Sequence, residues 1–156
     1  MSVIDLWLAA LPFLLGAAAL TWIVSVVKRN VTIVDTLWSL LFVLAAVVYA
    51  VSLAAPGPRA WLVVALVSAW GLRLAGYLAW RTLGHEEDRR YQAIRRRNEP
   101  NFALKSLWLI FGFQAVLAWI ISLPLAGAAA GDSPLGPLDA LGVAVWAVGF
   151  FFESVG

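Results

Sequence analysis

Charge in this chain is concentrated in one stretch, Arg81 to Lys105, which reads RTLGHEEDRRYQAIRRRNEPNFALK and holds 11 of the 20 charged residues. Long runs of Leu, Val, Ala, Trp and Phe flank it on both sides. A soluble domain spreads charge over its whole surface. Here 63% of residues are hydrophobic against 13% charged, so the chain has too little polar surface to cover itself in water. The expected fold is all-α: a polytopic bundle of transmembrane helices forming one domain over residues 1–156.

Crossing the hydrocarbon takes roughly 20 apolar residues at about 1.5 Å rise each. Five stretches qualify: about Leu6 to Val27, Val31 to Leu53, Ala60 to Trp80, Leu104 to Leu123, and Leu138 to the last residue. Lys28, Arg29 and Asn30 make a very tight break between the first two. Pro56, Gly57 and Pro58 separate the second from the third, because two prolines cannot continue a helix. Pro124 and the run from Gly127 to Pro137 separate the fourth from the fifth.

Basic residues set the expected orientation. With the N-terminus outside, the connections after the first and third spans face the cytoplasm and carry Lys28, Arg29, Arg81, Arg89, Arg90, Arg95, Arg96, Arg97 and Lys105. The other side keeps Arg59, and Arg73 lies within the third span. Residues 81–105 are therefore expected as a cytoplasmic charged loop of a plasma-membrane protein, in bacteria the inner membrane. Asp5, with no basic side chain ahead of the first span, argues against a cleaved signal peptide. No cysteine is present and His85 is the one histidine, which leaves no thiolate or zinc site to build, so no metal is expected. Arginines at a membrane surface face anionic lipid, so membrane lipid rather than nucleic acid is the expected partner.

Ionisable groups inside a bilayer cost several kcal/mol unless paired or wetted, which makes each a candidate for function. Asp35, in VTIVDTLW, sits about one turn into the second span. It reads either as an interfacial carboxylate favoured by the helix dipole or as a proton donor in a polar pocket. Arg73, in WGLRLAGYLAWR, lies near the middle of the third span and needs an internal partner, for which Asp35 is the natural choice. Tyr77 follows one turn along the same face, with Trp80 and Arg81 beyond it, and the stripe is expected to point into the bundle. Gln114, in FGFQAVLAW, reads as an amide that glues helices, and Glu153 as interfacial. Gly71, Ala75 and Ala79 recur at helical spacing as a close-packing face.

Within the island, acidic residues precede basic ones, as suits a short helix. It reads either as a juxtamembrane helix lying on lipid or as an anion site in which Arg89, Arg90 and Arg95 to Arg97 clamp phosphates. No Gly-rich dinucleotide fingerprint or Walker loop is present.

VDTLW, GLRLAGYLAWR, EDRRYQAIR, FGFQAVLAWIISLPL and GFFFESVG occur in this order along essentially the whole chain. The set resembles the bacterial membrane proteins of unknown function that are related to the steroid 5-alpha-reductases. The resemblance implies an NADPH-dependent oxidoreductase that reduces an activated carbon–carbon double bond of a lipid-like substrate. It implies Asp35 with Tyr77 or Tyr91 as the catalytic acid and tyrosine that polarise a carbonyl. It also implies Arg89 and Arg90 beside the cofactor phosphates, and Trp38, Arg73 and Gln114 as substrate contacts. Relatives continue past the FES motif into further helices with a cofactor region. The chain is therefore expected to be the N-terminal portion of a longer fold, inactive alone. A non-catalytic membrane protein and a lipid methyltransferase relative are the alternatives.

Overall fold

The computed structural model describes residues Met1–Gly156, all helices and connections with no strand. Along the chain run α1 (Val3–Lys28), α2 (Ile33–Ser52), α3 (Pro58–Thr82) and the short α4 (Arg89–Arg97). Next comes α5 (Phe102–Ser106), continued by a π-helical stretch (Leu107–Gly112) and α6 (Phe113–Ile121), then α7 (Leu123–Ala129) and α8 (Pro137–Val155). Five segments are long and apolar enough to cross a membrane: α1, α2, α3, the composite Phe102–Ile121, and α8. The protein is an integral membrane protein whose one charged segment, carrying α4, lies at one end of the bundle.

The core forms where α2 packs between α1 and α3 and against α6. On α1, Leu6, Ala10, Leu14 and Ala18 are all buried; their four-residue spacing makes a single stripe down the helix. The small-residue face of α3 lies on α2. Gly71 and Ala75 are buried there, and Ser39 Oγ donates to the Gly71 carbonyl at 3.0 Å. A Cβ on Gly71 would stand 2.5 Å from Val43 Cγ2, so only glycine permits this approach.

The reversal from α1 to α2 takes a few residues because Arg29 adopts a left-handed conformation, φ 52°, which is uncommon for a residue with a Cβ. Asn30 secures the turn: its amide donates to the Ser25 carbonyl at 3.0 Å, and its side-chain oxygen accepts from Thr32 N at 3.0 Å. At the far end of the bundle Trp7 and Trp119 stack with ring centroids 3.8 Å apart. Each indole donates to the other residue's carbonyl, at 2.8 and 2.9 Å. Nearby, Ser122 gives its proton to the Trp119 carbonyl at 2.7 Å, so Tyr49 is the donor in its 2.6 Å hydrogen bond with Ser122 Oγ.

One expected break is corrected. Pro124 does not end helical structure; it falls in the first turn of α7, where a proline lacks nothing the helix needs. The connection between the fourth span, which ends at Ile121, and α8 is therefore partly helical, with residues 130–136 following α7. No residue of α8 is buried. Arg59 ties its start to α3 through Asp139, with Nε to Oδ1 at 2.7 Å and Nη2 to Oδ2 at 2.9 Å.

Candidate functional site

The island docks on the start of α2. A helix begins with backbone N–H groups that have no partner inside the helix, and the α1–α2 turn adds more. Gly84, at φ 75°, turns the chain after α3 and brings the Glu87 carboxylate and the Asp88 amide beneath the turn. Glu87 Oε1 accepts from Val31 N at 3.0 Å. Asp88 N donates to Thr32 Oγ1 at 2.9 Å. Arg95 braces Glu87 from below, Nη2 at 2.9 Å and Nε at 3.1 Å, with its guanidinium 4.5 Å from the centre of the Phe102 ring. This bond to Glu87 raises the Arg95 pKa still further.

Asp88 is the N-cap of α4 and accepts from Arg90 N at 2.8 Å. The same carboxylate accepts from Arg90 Nε at 3.0 Å, which holds Asp88 below the usual carboxylate range. Capped and charge-paired, α4 turns Tyr91 inward. The residue is 9% exposed, and its hydroxyl donates to Asp35 Oδ1 at 2.5 Å. Arg90 Nη2 reaches Asp35 Oδ2 at 3.3 Å. Burial first, and then the Asp35 carboxylate, push the Tyr91 phenol well above its ordinary value, so it stays protonated through the physiological range. The node therefore presents one buried phenolic proton shared toward a carboxylate, with a cation at its edge.

Of the expected site residues, Asp35, Tyr91 and Arg90 meet. Arg89 stands beside them, exposed and without a hydrogen bond or ion pair. Tyr77 does not join: it is 47% exposed, and its ring leans toward Trp80 at 6.2 Å. That corrects the inward-pointing stripe. Trp38 meets Phe42 edge-on at 5.1 Å, one turn along α2 from Asp35. Gln114 is half-buried and forms no side-chain hydrogen bond, so it does not tie helices together.

Arg73 is not paired with Asp35. Its Nη2 lies 3.1 Å from Glu153 Oε1, and its guanidinium stands 5.3 Å from the Phe150 ring centre. Two geometric facts explain the partner. Arg73 lies about 14 Å up α3 from the island end, far deeper than Asp35. It is also two residues past Gly71, hence roughly 200° around the helix from the face that α2 covers. Sequence reasoning also missed that Glu87 and the Asp88 amide hold the α1–α2 turn. Their signal was two carboxylates just ahead of α4, which fit the dipole of α4 equally well.

The family model described as "Protein of unknown function (DUF1295)" matches residues 21–156, from the last two turns of α1 onward. No curated protein matches, and no solved structure matches.

Proposed function

The chain belongs to the DUF1295 family, and from that premise we propose that it is part of an NADPH-dependent membrane reductase acting on an activated C=C bond of a lipid-like substrate. The observation that carries the reading is the hydrogen bond from Tyr91 to Asp35. It joins an acid and a tyrosine at the end of a membrane bundle, the pairing such chemistry requires. Turned toward a substrate carbonyl, the phenolic proton stabilises negative charge as it grows on that oxygen. Asp35 holds the phenol in place as its acceptor, and a proton drawn from water restores the hydroxyl after transfer. Burial of Tyr91 keeps water from competing for it.

NADPH, when bound, supplies the hydride. The donor chemistry of the island fits its phosphates: Arg89, Arg96 and Arg97 are exposed, and none of them is in an ion pair. Arg90 suits this role less, because its guanidinium is held by Asp88 and Asp35. The basic bias supports a cytoplasmic island in a bacterial inner-membrane protein, on the side where the cofactor is found.

Calorimetry of NADPH against the detergent-purified chain tests the reading. Saturable binding that disappears in Arg89→Ala supports it; no binding at millimolar NADPH sinks it for this polypeptide. A second reading, a non-catalytic membrane protein, is favoured by the fact that Arg90, Tyr91, Glu87 and Arg95 all bond within the chain. On that reading Tyr91 is a clasp, and NADPH does not bind.

A further inference from the structure

Helices α3 and α8 are joined by two ion pairs in matched register. Arg59 meets Asp139 at 2.7 Å, and Arg73 meets Glu153 at 3.1 Å. Each partner is fourteen residues beyond its predecessor on the same helix, about 21 Å of rise on both. The two helices therefore run parallel, like rails with a rung at each height. Between the rungs they do not close up, since no residue of α8 is buried. The gap is a cleft of about 400 Å³, walled by Phe42, Trp70, Pro124, Trp146 and Phe150, with Glu153 at one end. That volume lies in the range of small-molecule sites, about 300–1,000 Å³.

We propose that this cleft binds an amphiphilic alcohol, its apolar body among Trp70, Trp146 and Phe150 and its hydroxyl on the Glu153 carboxylate. The chemistry of the polar end selects the class. An ionised carboxylate accepts at about four lone-pair sites, and Arg73 is the single partner that Glu153 has. Arg73 neutralises the charge from behind: it is not among the residues lining the cleft, and its Nε is buried with no acceptor. The site thus needs no cation from a ligand and offers a fatty carboxylate only repulsion. A neutral donor is what remains, and a hydrogen bond to an ionised acceptor is among the strong ones. The aromatic walls suit a long or ring-shaped apolar body. This inference does not rest on the reductase reading, and its test contains no NADPH.

Gly149 supplies a decisive variant. It lines the cleft, and a Cβ built on it meets nothing within 4 Å. Gly149→Leu therefore adds apolar bulk at the cleft from a position where its first carbon has open space. The full chain is placed in phosphatidylcholine nanodiscs and photolabelled with a diazirine-bearing hexadecanol, and the adducts are mapped by mass spectrometry. Adducts are expected on residues 146–153 and 67–70. Unlabelled hexadecanol should compete about tenfold better than hexadecane, the factor one such hydrogen bond supplies, and better than palmitate. Gly149→Leu should abolish the labelling while its thermal melting stays that of the wild type. Should that variant fail to fold, Glu153→Gln decides: the alcohol's advantage over the alkane must shrink. Labelling spread evenly over all the lipid-facing helices, indifferent to Gly149→Leu, would overturn the proposal and leave bulk acyl chains as the occupant. Palmitate competing best would overturn the hydroxyl assignment.

Discussion

Replacing Tyr91 by phenylalanine removes one oxygen and leaves the ring in its pocket, so it isolates the clasp between the island and α2. The lost bond is short, 2.5 Å, and ends on a carboxylate. Hydrogen bonds to charged groups contribute about 1.5–3 kcal/mol net. The low end applies, because Asp35 is 27% exposed in its side chain and keeps Arg90 at 3.3 Å. A loss of about 1.5–2 kcal/mol multiplies the undocked population of α4 roughly ten- to thirtyfold. Trypsin reads this directly, since α4 contains Arg89, Arg90, Arg95, Arg96 and Arg97, and cleavage tracks the open population when reclosing is fast. The initial rate of cleavage within residues 89–97 should rise by that factor in detergent micelles. Tyr77→Phe, whose hydroxyl bonds to nothing, is the control and should leave the rate unchanged. Wild-type cleavage in Tyr91→Phe would refute the claim that this hydrogen bond holds the island down.

Two glycines of α3 should respond in opposite directions. Gly71→Ala drives a methyl into Val43 and should destabilise by about 1–3 kcal/mol in chemical unfolding, whereas Gly76→Ala meets nothing within 4 Å and should stabilise by about 0.5–1 kcal/mol. The double variant Arg73→Met/Glu153→Met should cost less than the sum of the two single ones; a thermal double-mutant cycle should return an interaction of about 1–3 kcal/mol. The docking of α4 has a pH window. Asp88 is depressed in the folded state by Arg90 from an ordinary 3.8, so its contribution is present above that value and is lost as the pH falls through the lower folded one. Tyr91 is raised from an ordinary 10.0, chiefly by burial, so its contribution is complete below pH 10 and fades above it. Hydroxyl-radical footprinting of residues 89–97 should show protection between about pH 4 and 10 and exposure beyond each end.

The spans were legible because apolar run length and charge placement act locally. Arg29 and Asn30, Pro56 and Gly57, and residues 83–88 separate the helices for reasons each carries in itself. Pro124 misled, since the same ring that breaks a helix interior opens a first turn. Azimuth was the missing coordinate for Arg73. Adjacency in the chain brings α2 and α3 together, but which face of α3 they share depends on Gly71 and Ser39, and that face excludes Arg73. Tyr91 was legible as one of two tyrosines, and only the cap geometry of Asp88 separates it from Tyr77. Glu87 could not be read from local pattern at all, because the amide it satisfies, Val31 N, lies fifty-six residues earlier.

The reciprocal indole bonds of Trp7 and Trp119 bear on how the chain is made. They join residues 112 apart, so α1 owes part of its docking to a helix made well after it. At about 5–20 residues per second of synthesis, α1 waits roughly 6–20 seconds for its partner. During that interval Trp7, near the start of α1, carries an indole donor without the acceptor it has in the finished bundle. The machinery that inserts this protein must hold α1 beside the translocon, or the lipid interface must satisfy it, until the fourth span arrives and the bundle closes.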